Sequence, residues 1–287
     1  MNFHNGFFVF LSMDKIAPIG FFDSGYGGLT VLKEVLDLLP QYDYLYLGDN
    51  QRAPYGVKTL EEVYQYTWEC VQELFSQGCE LVILACNTAS AKALRRIQQN
   101  DLHRYPGKRV LGVVRPSAEI VGDLSEKDEI IVLGTQGTIS SNTYLDEFSF
   151  FSPQTKVHQY ACHDWVRIIE SGEHHLESGR SLIRQDLIEI QSLYPNADVV
   201  LLGCTHYPII KSFIEKHFPE NIKIVSQGEF LATSLKSYLE RHPWMREKIT
   251  TNGSRTCLTT GDATKFQEQA STILSMNVVA KQVTLNQ

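Results

Sequence analysis

Val82-Ile-Leu-Ala-Cys86-Asn87-Thr88-Ala89-Ser90 is the stretch that decides the fold. Leu81 to Ala85 is an unbroken apolar run of strand length, as expected of a strand buried on both faces in a parallel sheet. It stops at a cysteine followed by the cap-type residues Asn87, Thr88 and Ser90, and Ala91 onward has helical character. Cys86 is thereby expected at the carboxyl end of a strand and beside a helix N-terminus, where open α/β sheets place their ligands. The positive end of that helix is expected to lower the thiol pKa. A buried, inert cysteine is the competing reading.

The same grammar recurs on both sides of this stretch. Ile16 to Phe22 is expected as a first strand, followed by the Gly-rich turn Asp23-Ser24-Gly25-Tyr26-Gly27-Gly28 and a helix from Leu29 to Leu39. This is the first half of a βαβ unit. The turn is neither a dinucleotide fingerprint nor a P-loop. Tyr42 to Leu47 forms a second strand, its loop carrying Arg52 and Pro54-Tyr55-Gly56, and Leu60 to Gln77 a helix. Further strands are expected at Arg109–Val114, Glu129–Leu133, Val157–Ala161 and Asp198–Leu202. A helical segment holds Trp165 and Glu170, and a long helix spans Glu173 to Ser192. The last strongly buried strand ends in Gly203-Cys204-Thr205-His206-Tyr207-Pro208, which resembles the Cys86 stretch. Gly134-Thr135-Gln136-Gly137-Thr138 occupies a place comparable to Asp23-Ser24-Gly25. This weak internal repeat predicts two similar α/β domains, each presenting a cysteine at a strand end. Residues 1–110 with 222–287 are assigned to the first domain and 111–221 to the second. The helix around Lys265 to Leu274 is expected to pack back on the first.

Bulk properties narrow the function classes. The 287 residues suffice for one or two domains. A net charge of −7 argues against a broad phosphate-neutralising surface, so no nucleic-acid partner is expected. No run approaches the ~18 apolar residues of a membrane span. Phe7 to Leu11 is too short for a signal-peptide core, so residues 1–13 are taken as a loose extension, with Met13 an alternative start. The six cysteines are scattered without a C-x-x-C pair, which fits reduced thiols and a cytoplasmic location.

Two thiols facing one another can form a redox disulfide, bind a metal, or act as paired acid and base. Cys86, Cys204, His206 and Asp23 formally supply four metal ligands, so that reading stays open. The acid–base reading meets a distinct need, because inverting a carbon centre requires a proton removed from one face and another delivered to the opposite face. Asp23 is placed to assist Cys86. His206, two residues from Cys204, is placed to assist that thiol and can titrate near neutrality. Pro208 favours the first turn of a helix after His206.

Five ordered motifs now resemble the glutamate racemases: Asp23-Ser-Gly-Tyr-Gly-Gly-Leu-Thr-Val31, Arg52-Ala-Pro-Tyr-Gly56, Ala85-Cys-Asn-Thr-Ala-Ser90, Gly134-Thr-Gln-Gly-Thr138 and Leu202-Gly-Cys-Thr-His-Tyr-Pro208. The resemblance implies two pseudo-symmetric, doubly wound α/β domains with parallel-rich sheets and the active site in the cleft between them. It implies racemisation of glutamate without a cofactor, supplying D-glutamate for peptidoglycan. Cys86 and Cys204 are then the catalytic acid–base pair, serving D- and L-glutamate respectively, with Asp23, His206 and Glu170 assisting. Ser24, Pro54, Tyr55, Gly56, Asn87, Thr88, Thr138, Thr205 and His206 match substrate-binding positions. A homodimer is compatible with the family. Cys162-His163-Asp164-Trp165-Val166-Arg167 departs from the family's Cys-Pro-x-Phe-Val-Pro pattern, which puts the position of Glu170 in question. Competing expectations are an aspartate racemase of the same superfamily and a non-catalytic dicarboxylate-binding protein.

Overall fold

The computed structural model describes residues 17–285, so the expected extension at 1–13 lies outside the described residues. Among the described residues, ten strands form two sheets, every neighbouring pair parallel. In chain order they are β1 (Ile19–Asp23), β2 (Tyr44–Gly48), β3 (Leu81–Leu84), β4 (Arg109–Gly112), β5 (Glu129–Gly134), β6 (Lys156–Ala161), β7 (Val199–Gly203), β8 (Lys223–Val225), β9 (Arg255–Thr259) and β10 (Ala280–Gln282). The first sheet runs β10-β9-β2-β1-β3-β4 and the second β6-β5-β7-β8.

Alternation along the central strands explains why both faces are covered. Phe21 and Ile83 enter one apolar cluster, while Phe22, Val82 and Leu84 enter another on the opposite face. In the second sheet, Ile131 and Leu133 face one cluster and Ile130 and Val132 the other. With side chains buried on both faces, these strands read as continuous apolar runs. Helices fill each face, which makes both halves doubly wound α/β units. The helix Leu60–Ser76 starts at a reciprocal cap in which Thr59 and Glu62 each bond the other's backbone N–H, satisfying two of the orphan donors of a helix start.

The chain leaves the first sheet after β4 through the helix Val114–Val121 and returns after β8 through the helix Gly228–Arg241. The returning helix buries Leu231, Leu235 and Leu239 in the cluster that also holds Leu29, Leu32 and Val35. The helix Ala263–Leu274 adds Phe266, Ala270 and Leu274 to that cluster, as the sequence led us to expect.

Several expectations need correction. Lys223–Val225, assigned to the first domain, is bonded to β7 in the second sheet. Arg109–Gly112 pairs wholly with β3, so a boundary after residue 110 cuts a continuous strand, and Val114 begins a helix instead of ending that strand. The helix after Cys86 begins at Asn87, because Cys86 itself is the cap. The long helix expected from Glu173 is a short 3₁₀ turn followed by the helix Glu177–Leu193. Among the described residues no helix is long and apolar enough to cross a membrane.

Candidate active site

Parallel pairing sets the carboxyl ends of the central strands side by side. Asp23 closes β1 opposite Gly48, with Phe22 opposite Leu84 of β3. Gly134 closes β5 opposite Gly203 of β7. The two edges then meet across the sheets. Thr205 Oγ1 donates to Asp23 Oδ1 at 3.2 Å, and Thr30 Oγ1 donates to the Thr205 carbonyl at 2.9 Å. Thr88 Oγ1 lies 2.9 Å from Thr135 Oγ1 and 3.1 Å from Thr138 Oγ1. Each half therefore supplies part of one buried polar seam.

Cys86 and Cys204 are each 5% exposed. Cys86 caps the helix Asn87–Lys92, its sulfur accepting the Ala89 N–H at 3.5 Å and lying 3.6 Å from Ser24 Oγ. The dipole argument nonetheless gives the wrong sign. Burial, aided by the charge of Asp23 and by Cys204, outweighs the cap and pushes the Cys86 thiol up to about 12. Loss of hydration penalises a thiolate by up to several pKa units, more than the end of a six-residue helix returns.

Cys204 has different company. Its sulfur is 3.9 Å from His206 Nδ1, and His206 Nε2 is 2.9 Å from Glu170 Oε1. His206 is 3% exposed. Burial alone would lower its pKa, but the hydrogen bonds to Cys204 and Glu170 and their charges raise it to about 10. His206 is consequently an imidazolium at neutral pH. The helix Trp165–Glu170 delivers Glu170 to this contact despite the unusual residues before it. Trp165 is buried, stacking edge-on against Tyr207 and donating to Asp186 at 2.7 Å. Tyr26 completes the surroundings of His206, ring to ring at 5.3 Å. Gly27 must be glycine here, since a Cβ would lie 2.6 Å from both His206 Nδ1 and Thr205 Oγ1. Asp23 is fully enclosed. Burial raises its pKa against the lowering effects of His206, of the Gly25 and Gly28 N–H groups and of Thr205.

The other expected residues divide. Ser24, Asn87, Thr88, Thr138 and Thr205 are buried in the seam. Asn87 keeps an amide nitrogen with no protein partner. Gly56 packs against Thr135. The Tyr55 phenol turns away, donating to Asp49 at 2.5 Å, so only its backbone remains for a ligand. Pro54 is exposed. Arg52 is paired with Asp49 and Glu69. Tyr144 and Gln227 belong to the seam and carry no sequence signal that would mark them, whereas Thr135, also in the seam, lies within the Gly134–Thr138 motif. No group of three or more His, Cys, Asp or Glu among the described residues is arranged to hold a metal ion.

Two matched α/β halves, each with a buried thiol at the facing strand edge, give an arrangement suited to an isomerase that moves a proton on two faces of one carbon. The family model for Asp/Glu/Hydantoin racemase matches residues 29–235. The chain is 40% identical to the glutamate racemase of Roseobacter denitrificans, over 91% of this chain and 97% of that protein. A glutamate racemase structure from Bacillus anthracis superposes with a TM-score of 0.85 at 32% identity, covering 94% of this chain and 98% of that one. One from Francisella tularensis, in complex with D-glutamate, gives 0.82 at 28%, covering 95% and 99%. The chain belongs to the Asp/Glu/hydantoin racemase family.

Proposed function

We propose that the protein racemises glutamate by proton transfer between Cys86 and Cys204 across the substrate α-carbon. The observation that carries this reading is the pairing of buried thiols at equivalent strand ends, each with its own polar partners. A thiolate at Cys204 takes the α-proton of L-glutamate: the C–H bond breaks, an S–H bond forms, and the electron pair passes into the α-carboxylate. The Cys86 thiol then protonates the opposite face, giving D-glutamate and a thiolate at Cys86. D-glutamate follows the reverse path. Asp23 assists at Cys86, and the His206 imidazolium backed by Glu170 assists at Cys204. Ser24, Asn87, Thr88, Thr138 and Thr205, with the backbone at Tyr55-Gly56, hold the carboxylates and amine. Donors fixed in a buried site stabilise the developing enediolate more than water does.

The physiological reading is supply of D-glutamate to peptidoglycan synthesis in the cytoplasm. Glutamate is favoured over aspartate because the relatives with 36–40% identity bear glutamate racemase names. Circular dichroism of L- or D-glutamate with the purified protein tests the activity, and rotation that persists from both enantiomers refutes it. Cys86→Ser and Cys204→Ser then separate catalysis from mere binding. Each is expected to stop racemisation while sparing ligand binding. In deuterated water, α-hydrogen exchange should survive for only one enantiomer in each variant.

A further inference from the structure

Asn87 follows Cys86 directly, and its buried amide nitrogen has no protein partner. Its carbonyl oxygen accepts the Tyr144 hydroxyl at 2.7 Å. Which end of a side-chain amide faces a ligand decides what it recognises, since the nitrogen only donates and the oxygen only accepts.

A backbone carbonyl fixes that choice. The Val113 oxygen can only accept, so Ser117 Oγ, 3.1 Å away, donates its single hydrogen there. Ser117 Oγ is then an acceptor toward Gln227, whose amide nitrogen sits 2.9 Å from it. The second N–H of the same nitrogen points to the Tyr144 hydroxyl at 2.6 Å. Tyr144 accepts from Gln227, and its own hydrogen goes to Asn87. Every proton of the chain is assigned, and the Asn87 nitrogen is left facing away from Tyr144. All four side chains are buried. Burial also holds the Tyr144 phenol far above its ordinary pKa, so it remains a donor at any working pH.

The chain joins distant parts of the molecule. Val113 and Ser117 lie where the polypeptide leaves the first sheet, and Gln227 lies where it returns. Tyr144 belongs to the helix Thr143–Phe151 in the apolar cluster of the second sheet, and Asn87 to the helix after β3. We propose that Tyr144, held by Gln227, is a positioning residue that presents the Asn87 N–H₂ group to a carboxylate of the substrate. This rests on the glutamate reading above.

The test compares steady-state kinetics on L- and D-glutamate for the wild type and for Tyr144→Phe, Gln227→Met, Asn87→Ala and the Tyr144→Phe/Asn87→Ala double variant, with thermal unfolding followed in parallel. A charge-assisted hydrogen bond left unaimed should raise KM about tenfold in Tyr144→Phe, with kcat changed less than KM. Gln227→Met should move KM in the same direction and covers the case in which Tyr144→Phe does not fold. Since Tyr144 acts through Asn87, the double variant should have the KM of Asn87→Ala alone. A lowered Tm with unchanged KM, or multiplicative KM effects in the double variant, overturns the proposal. Wild-type protein inactive on both enantiomers instead overturns the glutamate reading and this inference with it.

Discussion

Replacing Glu170 with Gln keeps the volume and a hydrogen-bonding oxygen near His206 but removes the negative charge. In the wild type, Cys204 and Glu170 together hold the imidazole at about 10 against the opposing effect of burial, and Tyr26 is the other ring packed on it. Losing one of two anionic partners should lower that value by ~1.5 units, or about 2 kcal/mol. Glu170 is 28% exposed, so solvent screening keeps the loss below that of a fully buried pair. The sign follows directly. At pH 7 both proteins carry the imidazolium, whereas at pH 9.5 about three quarters of wild-type His206 and about a tenth of the variant remain protonated. The ratio of wild-type to variant kcat/KM should therefore be about eightfold larger at pH 9.5 than at pH 7. Taking the ratio cancels ionisation of the substrate. Because the enantiomers are equal in free energy, kcat/KM must fall equally for L- and D-glutamate, which checks the data internally. A loss that is uniform from pH 6 to pH 10 would show that Glu170 does not act through the charge of His206.

Two further outcomes follow from the same geometry. With the Cys86 thiol pushed up to about 12, only about 10⁻⁴ of it is thiolate at pH 8, so iodoacetamide should label Cys86 roughly a thousandfold more slowly than a free cysteine. The rate should rise about tenfold per pH unit, and mass-spectrometric mapping of labelling at pH 7 at the rate of a free thiol would contradict the burial argument. Gly27→Ala places a methyl 2.6 Å from both His206 Nδ1 and Thr205 Oγ1. Displacing a proton-transfer group by about 1 Å should cost roughly 10²-fold in kcat in a protein that stays folded, measured by racemisation and circular dichroism in the far ultraviolet.

How much of this could be read without coordinates depended on the range of the forces involved. The two cysteines stood out because a strand buried on both faces is a local pattern, and Leu81–Ala85 and Val199–Leu202 display it plainly. Sheet membership of Lys223–Val225 was hidden, since three residues carry too little pattern to choose between two parallel sheets. The thiol pKa went wrong for an energetic reason. That a helix starts close after Cys86 is visible in sequence, but the burial of Cys86 is a tertiary property, and it dominates. Glu170 was legible only through resemblance, because its partner His206 is 36 positions away. Tyr144 and Gln227 were invisible for the same reason, their contacts spanning 57 to 110 positions.

The two thiols are one chemical group in unequal surroundings, and the inequality bears on turnover. At Cys86, burial and the field of Asp23 outweigh the hydrogen bonds with the Ser24 hydroxyl and the Ala89 amide and favour the neutral thiol. Cys204 lies against an imidazolium. On the proposed mechanism, burial favours the form in which Cys86 holds its proton. On the proposed assignment, this is the form that accepts L-glutamate. Each L-to-D turnover takes a proton at Cys204 and releases one from Cys86, so the enzyme emerges in the less favourable form. D-to-L turnover restores the favourable one. Repeated turnover of L-glutamate then requires a proton to pass back to Cys86 between substrate molecules. Asp23 is the carboxyl suited to carry it, because burial favours its neutral form and its charge is coupled to both Cys86 and His206. On that proposal, its buried position at the end of β1, bonded to Thr205 of the opposite half, serves the return of the proton as well as the shape of the turn.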